Sequence, residues 1–246
     1  MIGTFAVIGP GRAGRSLAGA LVDIGWQHAH TYGRRDDVGN AAVGVDVCVI
    51  ATPDEAIASV AAAVTPADAV LMHLSGAMPL AVLGSHRAAA LHPLASLADP
   101  DRGPELLRTC WFAFAGDPIA QDIADQLSGR SFPIADEDRA LYHAAAAVAS
   151  NHLVALLGHV QRIAEEVDVP FEAFMPLVRG SIENVTLADP AQALTGPAAR
   201  GDDATIEAHL AALGERLPDE VATYRAMVTE ARRLAAMKRP PDDRAN

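Results

Sequence analysis

Apolar positions follow two regimes that change over near residue 136. In the first, short apolar runs alternate with stretches of helical spacing. Residues 4–8 predict a short buried strand, and Leu17, Leu21 and Ile24 recur at the spacing of a helix over 12–24. Residues 28–32 predict a second strand. The unbroken apolar run 46–51 has the character of a strand buried on both faces of a parallel sheet, and Thr52-Pro53-Asp54 ends it. A helix over 55–64 and a strand over 69–74 follow, before a Ser75-Gly76 turn. After His92-Pro93 come a strand at 111–115, a helix at 119–127 and a last strand at 131–134. This βαβα alternation predicts an α/β domain with a doubly wound parallel sheet. Residues 136–167 then form a long helical stretch without proline, and Pro170, Pro176, Pro190 and Pro197 divide the remainder into shorter helices. The expected organisation is a Rossmann-like domain over 1–135 and an all-α domain over 136–246, with a frayed tail from Lys238.

Between the first strand and helix lies Gly9-Pro10-Gly11-Arg12-Ala13-Gly14, a GxGxxG turn. The first glycine permits the bend, the second lets the backbone approach a pyrophosphate, and the third allows close packing of helix on strand. The helix starting near Arg12 presents free backbone N–H groups and its positive dipole end to phosphate. Ala51, Thr52 and Pro53, at the end of another strand, are assigned to the same cofactor site. At the end of the second strand, Arg34 and Arg35 favour the 2′-phosphate of NADP(H) over the bare ribose of NAD. Asp36 and Asp37 partly offset that charge. A merely solvated charge run predicts equal affinity for the two cofactors.

Composition narrows the partners. A chain of 246 residues, 50% hydrophobic, holds a substantial core, and a formal charge of -12 disfavours nucleic acid. Cys48 in Val-Cys-Val and Cys110 in Thr-Cys-Trp read as buried free thiols. The N-terminus lacks a charged n-region with an apolar h-region, and no run of about eighteen residues stays apolar without polar interruption. A cytoplasmic protein without a membrane partner is expected. The nine histidines include no HxxxH pair; His152 and His159 share a helix face without a third ligand, so no metal site is expected.

Four segments beside the glycine turn carry a resemblance: His73-Leu74-Ser75-Gly76, Leu91-His92-Pro93-Leu94, Tyr142-His143-Ala144-Ala145-Ala146 through Ser150-Asn151, and Thr195-Gly196-Pro197-Ala198-Ala199-Arg200-Gly201-Asp202. Together they resemble a two-domain Rossmann-like oxidoreductase family whose helical C-terminal domain is of unknown function. More distantly the layout is similar to the 6-phosphogluconate dehydrogenase, β-hydroxyacid dehydrogenase, ketopantoate reductase and pyrroline-carboxylate reductase superfamily. The resemblance implies NADP-dependent reductase or dehydrogenase chemistry on a small molecule bound between two domains.

Ketopantoate reductase supplies its proton from a lysine on the first long helix of the second domain. Here the only lysine is Lys238, and His143 stands at the corresponding place. Around an ideal helix Ser150 lies roughly 20° and Asn151 roughly 80° from His143, so all three can face one cleft. His143 is expected as general acid, with Asn151 holding the substrate oxygen and Ser150 a subsidiary contact. Packing or capping is the competing role for His143. Ser75 and Gly76 are candidates for a substrate carboxylate or the nicotinamide amide, against a plain turn; His92-Pro93 resembles the His-Pro element of prephenate dehydrogenase-like proteins, and His92 is expected to line the site. Arg200, in a Gly- and Pro-shaped loop, can clamp a carboxylate or pair with Asp202, while Asp202 or Asp203 caps the following helix. The favoured substrate is a small oxo acid or hydroxy acid, with 2-dehydropantoate as one candidate by analogy. The alternative is a non-catalytic NADP(H)-binding module that dimerises or senses cofactor. Leu153, Leu156, Leu157, Val160 and Ile163 predict a homodimer through the helical domain, against an ordinary intramolecular core.

Overall fold

The computed structural model describes residues 2–238, so the predicted fraying beyond Lys238 lies outside the described residues. The chain opens with β1 (Thr4–Ile8), α1 (Arg12–Asp23), β2 (Gln27–Tyr32), β3 (Val47–Ile50), α2 (Asp54–Ala63) and β4 (Val70–His73). It continues with β5 (Arg87–Pro93), α3 (Gly103–Leu107), β6 (Phe112–Gly116), α4 (Ile119–Leu127) and β7 (Ser131–Pro133). These strands form one sheet in the order β2-β1-β3-β4-β5-β6-β7. Every neighbouring pair is parallel except β5 and β6, where Ala90 faces Ala115. The connection over 94–111 leaves and re-enters at the same edge of the sheet, so it makes no crossover and β6 runs back.

Side-chain alternation along the strands builds a core on each face. On one face Leu17 and Leu21 of α1, Leu107 of α3, and Ile123 and Leu127 of α4 pack with Val7, Val49, Met72, Leu91 and Phe112. On the other, Ile57 and Ala61 of α2 pack with Ile8, Cys48, Ile50 and Leu71. Helices therefore cover both faces, the doubly wound arrangement. Burial pushes the Cys48 thiol up to about 12. Cys110, expected to be buried, is only half-buried, because it closes the connection before β6 beside exposed Trp111.

The second face changes character over β4, β5 and β6. Register puts His73 opposite Ala90, Ala90 opposite Ala115 and His92 opposite Ala113, so alanines and two histidines share this face. Small side chains leave room for α5 (Arg139–Ala147), whose first residue is 1% exposed. The Arg139 guanidinium donates through Nε to Asp136 at 2.8 Å, and Asp136 also accepts the Leu80 N–H at 2.9 Å. Arg139 Nη2 and both ring nitrogens of fully buried His73 find no hydrogen-bond partner among the described residues. Burial, reinforced by the Arg139 charge, lowers His73 to about 4.

The stretch predicted as one helix over 136–167 is a 3-10 turn, α5, a π-helical turn (Val148–His152) and α6 (Leu153–Glu166). By length and composition the run Asp136–Glu166 is apolar enough to cross a membrane, with a hydropathy of 1.3. His143, Ser150, Asn151 and His152 in its interior are costly in hydrocarbon. By packing, the chain divides into two compact units, one ending at Asn151 and one starting at His152. The second unit continues with α7 (Met175–Leu187), α8 (Pro190–Ala193), α9 (Pro197–Arg200), α10 (Asp203–Arg216) and α11 (Val221–Ala236). Pro176, Pro190 and Pro197 occupy the first turns of their helices, where a missing N–H costs nothing. In this unit His159 Nδ1 and the Arg162 guanidinium both bond Glu220, which holds its carboxyl well below the usual range.

Two outcomes follow from this packing. A Cβ on Gly103 would sit 2.3 Å from Ser16 Cβ, so Gly103→Ala is expected to cost about 1–3 kcal/mol in urea unfolding. Ser16→Gly should restore part of that loss. Because folded His73 takes a proton only near pH 4 while an unfolded histidine takes one near 6.5, protonation favours unfolding throughout this window. Stability should fall as pH drops from 6.5 towards 4, with His92 contributing in the same sense. Thermal melts of His73→Met should show a shallower acid slope and a Tm near wild type at pH 8.

Candidate functional site

The glycine turn is shaped by the end of β3. Gly9 takes φ 109°, and a Cβ there would meet Ala51 O at 2.7 Å. At Gly14 a Cβ would meet Gly9 O at 2.2 Å, so helix and turn touch backbone to backbone. Gly11 differs: its nearest neighbour is Ala51 O at 4.0 Å, and no protein atom fills the space a side chain would take. Gly11 caps α1 without a side-chain hydrogen bond and without an acidic residue in the first turn. The open cradle, the uncapped helix start and the buried Thr52 hydroxyl, which has no partner among the described residues, fit a dinucleotide pyrophosphate.

These groups line a cavity of about 650 Å³ that includes Gly9, Pro10, Gly11, Arg34, Thr52 and Pro53, with Ala51 beside them. Asp36 lies there too, but its carboxylate is turned onto its own loop, accepting the Gly33 N–H at 2.7 Å. Arg35 stands exposed outside the lining. Arg12 and Ala13 form the first turn of α1, where the Arg12 carbonyl accepts the Ser16 hydroxyl at 2.7 Å and Ala13 packs on the core.

A second cavity, about 550 Å³, opens where β5 ends beneath α5 and the π turn. Its lining includes His92, Pro93, Ser96, His143, Ser150 and Asn151. Gly76 closes one side: a Cβ there would lie 2.8 Å from His92 Cε1 and 2.9 Å from His143 Cδ2. The Ser75 hydroxyl oxygen accepts the Ala77 and Met78 N–H groups at 3.1 and 3.0 Å, which holds the turn that presses Gly76 against both rings. The Ser150 hydroxyl is engaged on its own helix, donating to Ala146 O at 2.8 Å with Asn151 Oδ1 at 3.1 Å. The arrangement brings together His92, His143, Ser150, Asn151 and Gly76. Arg200 belongs to the second unit, where its side chain is 65% exposed and 3.9 Å from Asp202. Asp202 caps α10 by accepting the Thr205 N–H at 3.1 Å, and Asp203 pairs with Arg232.

Sequence reasoning assigned no role to Tyr142, whose hydroxyl lies 2.6 Å from His92 Nδ1. The usable signal was its place beside His143 at the start of the helix. Its partner, fifty positions away, is visible only in the fold. Burial, with His143 adding, lowers His92 to about 4. The cleft therefore holds a neutral imidazole over the physiological range.

Comparison with known proteins finds the fold elsewhere. Residues 113–231 match the family described as a domain of unknown function, DUF2520. Among curated proteins none matches the sequence. A solved Bacteroides fragilis protein, assigned as an NADP oxidoreductase, is similar with a TM-score of 0.81 and 20% identity, over 94% of this chain and 98% of that one. Protein TM1727 from Thermotoga maritima gives 0.75 and 24%, over 94% and 98% of the two chains. A reductive aminase from Aspergillus terreus, solved with NADPH and ethyl levulinate, gives 0.72 and 15%, over 96% and 98%. The chain thus has the Rossmann-like fold of these solved proteins, and its residues 113–231 are similar to the domain of unknown function DUF2520.

Proposed function

We propose that this protein is an NADP(H)-dependent oxidoreductase that moves a hydride between nicotinamide and a small acid, at the keto carbon of the oxo acid or the hydroxyl-bearing carbon of the corresponding hydroxy acid. One observation carries the reading. A cavity fitted to dinucleotide phosphates and a cleft lined by two histidines both open at the carboxyl edge of a single sheet, where ligands of open α/β folds bind. The NADPH of the Aspergillus terreus aminase supports the cofactor assignment.

Gly9, Gly11 and the start of α1 hold the pyrophosphate, and Arg34, joined by Arg35, takes the 2′-phosphate. Asp36, committed to Gly33, does not compete for the ribose. NADPH, when bound, supplies the hydride. As the carbonyl carbon accepts it, the C=O electron pair moves to oxygen, and His143 gives its proton to that oxygen. Asn151 offers its amide to the same atom, and Ser150 steadies Asn151. Arg200 is the guanidinium we assign, on chemical grounds alone, to a substrate carboxylate; 2-dehydropantoate is one candidate. Exposed Val154, Leu177, Ile182 and Leu187 support a homodimer through the helical unit, to be read as a two-chain mass in sedimentation.

Three variants test this reading. Arg34→Ala should raise the Kd for NADPH by about 10-fold or more while leaving NADH binding near its wild-type value. In a panel of oxo acids followed at the nicotinamide absorbance band, His143→Ala should lower kcat by about 100-fold or more. Turnover within a few-fold of wild type would remove His143 from the mechanism. Arg200→Ala should raise KM with little change in kcat, and an unchanged KM would exclude the carboxylate contact.

A further inference from the structure

Hydride can be delivered to a ketone or to an imine, and the two differ in one property that a cleft can read. A carbonyl oxygen only accepts hydrogen bonds, whereas a protonated imine nitrogen donates one. The His92 ring has the means to tell them apart.

One of its nitrogens is already committed. Nδ1 lies 2.6 Å from Tyr142 Oη, with the rings edge to face at 5.6 Å. A phenol has one proton to place, and among the described residues Nδ1 is the acceptor within reach. Tyr142 therefore donates, Nδ1 accepts with its lone pair, and the imidazole proton resides on Nε2. Burial pushes Tyr142 up to about 12, so the phenol keeps its proton. His92 stays neutral: burial, reinforced by the His143 and Arg139 charges, outweighs the opposing charge of Asp54. Gly76 packs against the Cε1 and Nδ1 edge of the ring, which leaves Nε2 as the free edge. The phenol is itself fixed, with Phe132 edge-on at 5.9 Å and Trp111 beyond it at 6.3 Å.

The geometry points to Tyr142 as a positioning residue that locks His92 into the Nε2–H tautomer, so that the cleft offers a donor and selects a carbonyl oxygen over a protonated imine nitrogen. This inference rests on the proposed reductase activity for its substrate half and on the hydrogen bond alone for its tautomer half. A neutral imidazole that donates to a carbonyl polarises it without surrendering its own proton, which leaves proton transfer to His143.

The test has two arms on the full-length protein. Long-range ¹H–¹⁵N correlation spectra, with His92 identified by the signals lost in His92→Gln, should give the pattern of a ring protonated at Nε2. In Tyr142→Phe, with folding checked by thermal melt, that pattern should move towards a mixture of tautomers. In the second arm, NADPH oxidation is compared between a panel of 2-oxo acids and 1-pyrroline, a cyclic imine protonated near neutral pH. The best oxo acid should turn over at least about 10-fold faster than the imine. A wild-type ring protonated at Nδ1, or a pattern unchanged by Tyr142→Phe, overturns the lock. An imine oxidising NADPH as fast as every oxo acid overturns the selection. Absence of NADPH oxidation with both, alongside the Nε2–H pattern, overturns the reductase reading and the selection with it while the tautomer lock stands.

Discussion

Burial of the sheet on both faces is the constraint from which the rest of the first unit follows. β3 and β4 expose no residue, so their polar backbone can be satisfied only sideways, by neighbouring strands. Parallel neighbours then demand crossovers, and each crossover brings its loop out at the same carboxyl edge. The glycine turn after β1, Ala51-Thr52-Pro53 after β3, Ser75-Gly76 after β4 and His92-Pro93 at the end of β5 emerge there together. Residues far apart in sequence share an edge because the sheet leaves them no other exit.

Where local pattern and tertiary demand agree, the sequence was readable. The run Val47–Ile50 is apolar at every position and is buried at every position, and the glycine spacing announces a backbone contact that Gly9 and Gly14 make. Prolines at helix starts were equally plain, since φ and the missing N–H act locally. What was hidden depends on pairing at long range. Nothing near Arg87–Pro93 says that β6 will return antiparallel beside it. Nor does Tyr142 declare itself, because its meaning is set by a histidine on a strand that α5 must first cover. The π turn left no mark in the pattern, because Val148–His152 carries residues of ordinary helical character.

Polar groups under the second face are held to very different degrees. Asp136 ties Arg139 and the Leu80 backbone together, and Tyr142 engages His92. His73, on the same face, has no hydrogen-bond partner among the described residues. The hydrogen-bonded groups are thereby fixed in orientation, whereas the unbonded ring contributes shape and a pH liability. The geometry of the cleft and the acid sensitivity thus arise from one patch of sheet.

The alanines of that patch have a consequence of their own. Ala90, Ala113 and Ala115 stand outside the lining of the cleft, yet they share the sheet face of His92, against which the helix bearing Tyr142 and His143 lies. Each added methylene there would act as a spacer, lifting one imidazole away from the other before any residue in the cleft had changed. The reach of the cleft is in this sense gauged from behind, by residues of the sheet that stand outside its lining.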